Sequence, residues 1–271
     1  HRQWENSVRD LLNLDEIPGS STAFISDTLS VGHFDRIAEN LLVTPPLWED
    51  YREAAEVLAA EIASDPAALD ALLPADAPTD VQARSEALVD AVGFRAHRRP
   101  LTDAERESYL SLMAQAPEVF ADGARFERAS ELFLRAILQS PHFLYRIETR
   151  TSDENFVRLG PYEIASKLSY SLWNTMPDDE LLAAAERGDL EDSDKLRQEV
   201  ARMLDDPRAI DAVADFHAQM LGFYHFDEMS KAPEVFPEFN ENTPEKLERE
   251  LELYIEDVVV HSDGTYRTLM T

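Results

Sequence analysis

Apolar residues recur at three- and four-residue spacing along most of the chain, which is the period of an amphipathic α-helix. In the segment 46–63, for example, Leu47, Tyr51, Leu58 and Ile62 fall on one face. Alternation of apolar and polar residues, which marks a β-strand, is almost absent, and proline falls mainly between the helical stretches, where it begins or ends a helix. The pattern predicts an all-α fold with about ten helices in a single elongated or bilobed bundle.

Capping residues mark the ends of several predicted helices. Thr102 and Glu105 have the spacing of a capping box. Pro177 is expected at a first helical position with Asp178 and Asp179 in the first turn, and Gly188 ends that helix. The predicted helices cover residues 4–14, 34–42, 46–63, 80–95, 102–113, 122–139, 142–148, 161–173, 177–188, 192–204, 206–222 and 243–261.

The segment from Leu73 to Thr79 (LPADAPT) is the best candidate for a linker, because it contains two prolines and lacks a helical apolar period. We therefore expect three helical domains that pack together as one unit. They cover residues 1–72, 80–150 and 155–271.

The formal net charge is -29. A surface this negative repels phosphate backbones, so nucleic acid is not an expected partner. No apolar run approaches the roughly 20 residues that span a bilayer, so the sequence predicts no transmembrane segment. The oligomeric state is left open.

The chain contains no cysteine. This excludes disulfides, zinc sites built on thiolates and covalent c-type haem attachment within these residues, and no cofactor is expected there. Common enzyme motifs such as HExxH, GxSxG and the phosphate-binding Gly-rich loops are also absent from the sequence.

His142, Trp173 and His217 are the candidate catalytic residues. His142 follows Ser140-Pro141 at a helix break, and His217 lies inside a predicted helix beside Phe216. A histidine in such a place can shuttle protons or bind a metal, but it can also be a packed residue that hydrogen bonds to a backbone carbonyl.

A weaker candidate for a metal site is the group His225, Asp227 and Glu228, whose oxygen and nitrogen atoms could hold a hard cation. The alternative is an ordinary polar loop. Arg95, Arg98 and Arg99 form the one local basic cluster and are expected to pair with carboxylates of the same chain.

Four segments are distinctive together: FRAHRRPLTDAE (94–105), SPHFLYRIE (140–148), YEIASKLSYSLWNTMPDDELL (162–182) and ARMLDDPRAIDAVADFHAQMLGF (201–223). They closely resemble the planctomycete cytochrome-associated domain family, domains of unknown function in large secreted bacterial proteins. Two further segments look like the N-terminal domain that precedes them in that family: NSVRDLLNLD (6–15) and HFDRIAENLLVTPPLWEDYREAA (33–55).

The resemblance implies an exported bacterial protein, located in the periplasm, secreted or on the outer surface. It also implies a downstream region with a Cys-x-x-Cys-His motif for c-type haem. It implies no established reaction and no agreed catalytic residues. One departure from the family pattern is Met220, where the family more often has Trp.

Three functional hypotheses follow. In the first, the chain is the helical forepart of a cytochrome-associated redox protein, which docks or shields a c-type haem domain or binds its partner in electron transfer. In the second, it is a non-catalytic interaction or scaffold module of a surface complex. In the third, it is an enzyme with a dispersed site near His142, Trp173 and His217. Whether the chain is an enzyme stays open.

Overall fold

The computed structural model describes residues 1–25, 41–148, 158–221, 229–232 and 234–270. Within these ranges it contains fourteen α-helices, ten of them with seven or more residues, and no β-strand. The prediction of an all-α fold with about ten helices is confirmed. The helices are α1 (Arg2–Leu11), α2 (Pro45–Ser64), α3 (Pro66–Asp70), α4 (Val81–His97), α5 (Asp103–Ala114), α6 (Ala116–Val119), α7 (Arg125–Leu138), α8 (Pro141–Leu144), α9 (Pro161–Leu172), α10 (Asp179–Glu186), α11 (Ser193–Leu204), α12 (Pro207–Leu221), α13 (Thr243–Glu256) and α14 (Tyr266–Met270).

Most predicted boundaries lie within three residues of the observed ones, and three differences have a structural explanation or a distinct structural form. Pro177 is not the first helical residue, because the carboxylate of Asp178 accepts a hydrogen bond from Leu181 N at 2.9 Å and makes Asp178 the N-cap. The aromatic segment 142–148 is helical only as far as Leu144. The last predicted helix ends in a π-helical turn, Asp257–His261. The predicted helix 34–42 lies mostly outside the described residues.

None of the helices in the described ranges combines the length and the apolar character that a membrane-spanning segment needs.

The chain divides into two compact units, His1–Ser26 with Val43–Arg202, and Asp27–Leu42 with Met203–Thr271. The core of the first unit is built around α7, which contacts α2, α4 and α5. Phe133, Leu134 and Ile137 of α7 are fully buried there. The α7 sequence places these residues on one face at helical spacing, so a single helix can contact all three neighbours.

In the second unit, α12 contacts α13. A small apolar cluster is formed by Ile255, Val258 and Leu269, with Val213 and Met220 of α12 packed against it.

Tyr170 fixes α9 within the first unit. Its buried hydroxyl lies 2.8 Å from Ser7 Oγ of α1 and accepts a hydrogen bond from Arg98 Nη1, at the end of α4, at 3.2 Å. Asn6 Nδ2 donates to the carbonyl of Asn174 at 3.1 Å, just beyond α9. These contacts set the distance between α9 and the end of α4, where the candidate site lies.

Candidate functional site

A cavity of about 340 Å³ lies in the first unit, between the end of α4, the segment 142–148 and α9. This volume is at the lower end of the range for small-molecule binding sites. Its lining is formed by His97, Arg98, Arg99, His142, Tyr145, Arg146, Ile147, Glu148, Tyr162, Glu163, Ser166, Lys167 and Ser171.

The backbone at the end of α4 brings two functional side chains to one wall of the cavity. Arg98 follows the last residue of α4 and has a left-handed conformation, with φ of 58°. The chain therefore turns sharply after His97. Thr102 then caps α5 in a capping box with Glu105, as the sequence predicts. This turn places the Glu105 carboxylate beside the His97 ring.

His142 reaches the same wall from a separate element. Ser140 caps the short helix α8, and Pro141 occupies its first position. The His142 ring stacks on the His97 ring, with centroids 4.4 Å apart and an interplanar angle of 27°. The Nε2 atom of His142 lies 3.3 Å from Glu105 Oε1, and the Nδ1 atom of His97 lies 3.6 Å from the same oxygen.

Arg99 binds the Glu105 carboxylate through both terminal nitrogens, at 2.7 Å and 2.9 Å. The hydrogen bond from Arg99, with further bonds from Thr102, lowers the pKa of Glu105 far below its usual range. Burial lowers the pKa of His97 to about 4, and burial with the nearby Arg99 charge lowers that of His142. At neutral pH the wall therefore presents two neutral imidazoles and one ionised carboxylate.

Arg98 is the most deeply buried cation of the cavity, with 4% of its surface exposed. It donates hydrogen bonds to the carbonyls of Phe143, His142 and Tyr145 at 3.3, 2.5 and 2.7 Å, and one to the Tyr170 hydroxyl. These acceptors are uncharged, so they satisfy the donors of Arg98 without compensating its charge. A buried positive charge that pairs with no carboxylate of the described residues makes the electrostatic potential inside the cavity more positive.

The cavity carries the opposite sign of charge from the chain as a whole. Its lining contains four Arg or Lys residues and two Glu residues, and the Glu105 carboxylate lies directly beside it, so positive charges still outnumber negative ones, whereas the chain has a formal net charge of -29. Tyr145, Ile147 and Tyr162 add apolar surface to the lining. The arrangement is suited to a small ligand that has both an anionic group and an apolar part.

The candidate catalytic residues of the sequence lie in different surroundings. His142 lines the cavity. Trp173 is buried at the end of α9, where the guanidinium of Arg202 lies 5.5 Å from its ring centroid. His217 lies in α12 of the second unit, and its Nδ1 is 2.8 Å from the carbonyl oxygen of Val213. The weaker metal candidates His225, Asp227 and Glu228 lie outside the described residues.

Within the described ranges, only two of the three arginines in the basic cluster lie close to a carboxylate, whereas the sequence predicts this for all of them. Arg99 pairs with Glu105, and Arg95 lies 3.8 Å from Asp179. Arg98 differs, because its hydrogen bonds go to backbone carbonyls and a tyrosine hydroxyl.

Sequence reasoning missed His97 and Glu105 as members of the site. One signal in the sequence was available, since both segments 94–105 and 140–148 are distinctive. The structure places these two segments side by side. Spacing along the chain could not reveal this, because 45 residues separate His97 from His142.

Three family models match the chain. PSD3, a protein of unknown function (DUF1587), matches residues 1–64; PSD5, a protein of unknown function (DUF1595), matches residues 84–148; and PSD4, a protein of unknown function (DUF1592), matches residues 159–271. These domains indicate an uncharacterised family. Neither a curated protein nor a solved structure is significantly similar to this chain. The His97, Glu105 and His142 cluster lies within the part matched by PSD5.

Proposed function

We propose that this chain is a ligand-recognition module that binds a small organic anion in the cavity between α4 and α9. The observation that carries the proposal is the reversal of charge: a basic cavity, with the buried Arg98 at its wall, in a strongly acidic protein. The acidic surface of the protein repels anions at long range. An anion is therefore attracted only by the positive charges of the cavity itself, at short range.

Two kinds of group would contact the ligand. Lys167 is 61% exposed and lies 3.2 Å from Glu148 Oε1, and a lysine ammonium has three donors, so donors remain for an anion. Tyr162 and Ser166 of α9, whose side chains both end in a hydroxyl, also line the cavity. Arg98 would contribute its charge rather than hydrogen bonds, since its terminal nitrogens already donate to four oxygens.

The experiment is calorimetric titration of the whole chain with acetate, citrate, glucuronate, sulfate and phosphate. We expect one of the organic anions to bind with a stoichiometry of one. Lys167→Gln removes a charge-assisted hydrogen bond, so binding should weaken by about 10-fold or more.

Lys195→Gln is the matched control, because Lys195 has a similar exposure of 57% and is also paired with a carboxylate, that of Asp189. Its binding constant should stay within about twofold of the wild type, as for a surface charge outside the site. Equal weakening in both variants, or no binding of any organic anion, would refute the proposal.

We further propose that the module works within an exported, cytochrome-associated bacterial protein, next to a c-type haem region or a partner in electron transfer. The resemblance to the planctomycete cytochrome-associated domains supports this, whereas the three matched domain models indicate only an uncharacterised family. The full-length gene product should contain a Cys-x-x-Cys-His motif downstream of Thr271 and show the visible spectrum of c-type haem. A full-length protein with no such motif and no haem spectrum would contradict this.

A further inference from the structure

Three side chains that can bind a metal converge on the cavity wall. His97 ends α4, Glu105 lies in the first turn of α5, and His142 lies in α8. One nitrogen or oxygen atom from each residue lies within 4.8 Å of the others. Neither the sequence motifs nor the family descriptions assign a metal here.

The His97 ring is buried, and within the described part of the chain only one of its two nitrogens has a hydrogen-bond partner. Its side chain is 1% exposed. The Nε2 atom lies 3.0 Å from the hydroxyl of Tyr109. The Nδ1 atom has no hydrogen-bond partner in the described part of the chain, and it faces the Glu105 carboxylate. A buried polar atom without a partner costs about 1–3 kcal/mol, so it calls for an explanation.

The contact to Tyr109 has a consequence for the imidazole tautomer. If Nε2 carries the proton and donates it to the Tyr109 oxygen, then Nδ1 carries a lone pair directed at the cluster. Histidines that ligate metals almost always donate the other ring N–H to an oxygen in this way. The same lone pair would repel the Glu105 carboxylate if no cation lay between them.

Two of the three donor separations are close to those around a common metal ion. Two donors at about 2.1 Å from zinc, at a tetrahedral angle, are roughly 3.4 Å apart. The distances from Glu105 Oε1 to His97 Nδ1 and to His142 Nε2 are 3.6 Å and 3.3 Å. We propose that His97, Glu105 and His142 form a binding site for a divalent transition metal such as zinc.

Three protein ligands leave the fourth tetrahedral position of zinc to a water molecule or a substrate. Since His97 and His142 both line the cavity, this position would open into it. The inference goes beyond anion recognition, and metal binding can be measured with no anion present.

Arg99 opposes metal binding, because its guanidinium already neutralises the Glu105 carboxylate. Glu105 Oε1 accepts one hydrogen bond from Arg99, and a carboxylate oxygen has a second lone pair for a metal. Thr102 N and Oγ1 hold Oε2 at 2.8 Å and 3.0 Å, independently of Arg99. Arg99→Gln therefore removes a positive charge beside the metal while Glu105 stays in place.

The test uses zinc alone, on the whole chain after treatment with a chelator. Excess Mg²⁺ occupies the non-specific carboxylates of the surface, and a competing chromophoric chelator reports the affinity. We expect one zinc per chain with a dissociation constant below about 1 µM. Weaker binding, or binding without a defined stoichiometry, overturns the proposal.

Variants locate the site. His142→Gln is expected to fold, since the His142 side chain is 35% exposed. This variant should weaken zinc binding by more than about 10-fold. Loss of a residue that only hydrogen bonds to a metal ligand already weakens binding by about that much, and His142 is proposed to be a ligand itself. Arg99→Gln should tighten binding on the order of 10-fold.

His261→Gln is the control, because it removes an exposed histidine of the second unit. Its zinc affinity should equal that of the wild type. If His142→Gln binds zinc as tightly as His261→Gln does, the site is elsewhere and the assignment is wrong.

Discussion

Replacing Arg98 tests whether its four hydrogen bonds stabilise the wall of the cavity. Arg98→Met keeps the length of the side chain and removes four hydrogen bonds, three of them to backbone carbonyls of the segment 142–145. Phe143 and Tyr170, two of the acceptor residues, are themselves buried, so water cannot readily replace the guanidinium.

The magnitude follows from two opposing effects. Each hydrogen bond to a charged group contributes about 1.5–3 kcal/mol, but removal of the guanidinium also removes a desolvation cost of several kcal/mol. A buried acceptor that loses its donor costs about 1–3 kcal/mol, and four acceptors lose a donor here, so a net cost of about 3–5 kcal/mol remains after the desolvation gain. We expect Arg98→Met to lower the free energy of unfolding of the first unit by that amount. The strain of the left-handed backbone, roughly 1–2 kcal/mol, stays in this variant.

Tryptophan fluorescence during urea unfolding measures this change for the first unit alone. The chain has three tryptophans, Trp4, Trp48 and Trp173, and all lie in that unit. Arg187→Met is the control, because Arg187 is 57% exposed, and it should change the free energy by less than about 0.5 kcal/mol. A cost below about 1 kcal/mol for Arg98→Met would show that the four hydrogen bonds do not hold the wall.

Three further predictions use the same fluorescence assay. Phe133→Ala, in the core around α7, should destabilise the first unit by about 3–5 kcal/mol, and a loss below about 1 kcal/mol would contradict the core described above. Asp178→Ala removes the N-cap of α10 and the two contacts to Arg202, so it should cost about 2 kcal/mol, whereas the exposed Asp194→Ala should cost less than about 0.5 kcal/mol. Burial lowers the pKa of His97 to about 4. Because the unfolded chain binds this proton near pH 6.5, the metal-free protein should lose stability as the pH falls from about 6.5 to 4, and the loss should be smaller in His97→Gln.

The helical fold was predictable because its signals are local. The capping box of Thr102 and Glu105 and the apolar face of α7 each lie within a few turns of sequence, and both appear in the structure. The misplaced start of α10 has a local cause too: both Pro177 and Asp178 suit a helix start, and the hydrogen bond to Leu181 N decides between them.

The candidate site was predictable only in part, because it depends on packing between distant elements. His142 could be singled out by its helix break, but its neighbours could not be named from spacing. His97 and Glu105 come from the end of one helix and the start of the next, and α8 contacts α4 only in the folded chain. The partners of Arg98 could not be predicted either, because they are mostly backbone carbonyls, which have no signature in the sequence.

We propose that the cavity beside α4 and α9 is the functional centre of this chain. A crystal structure of the protein with the tightest-binding organic anion tests it most directly. We expect density for the anion inside the cavity, with its charged group within hydrogen-bond distance of Lys167 and its apolar part against Tyr162. An anion bound elsewhere on the molecule, with the cavity filled only by water, would show that this cavity is not the functional centre.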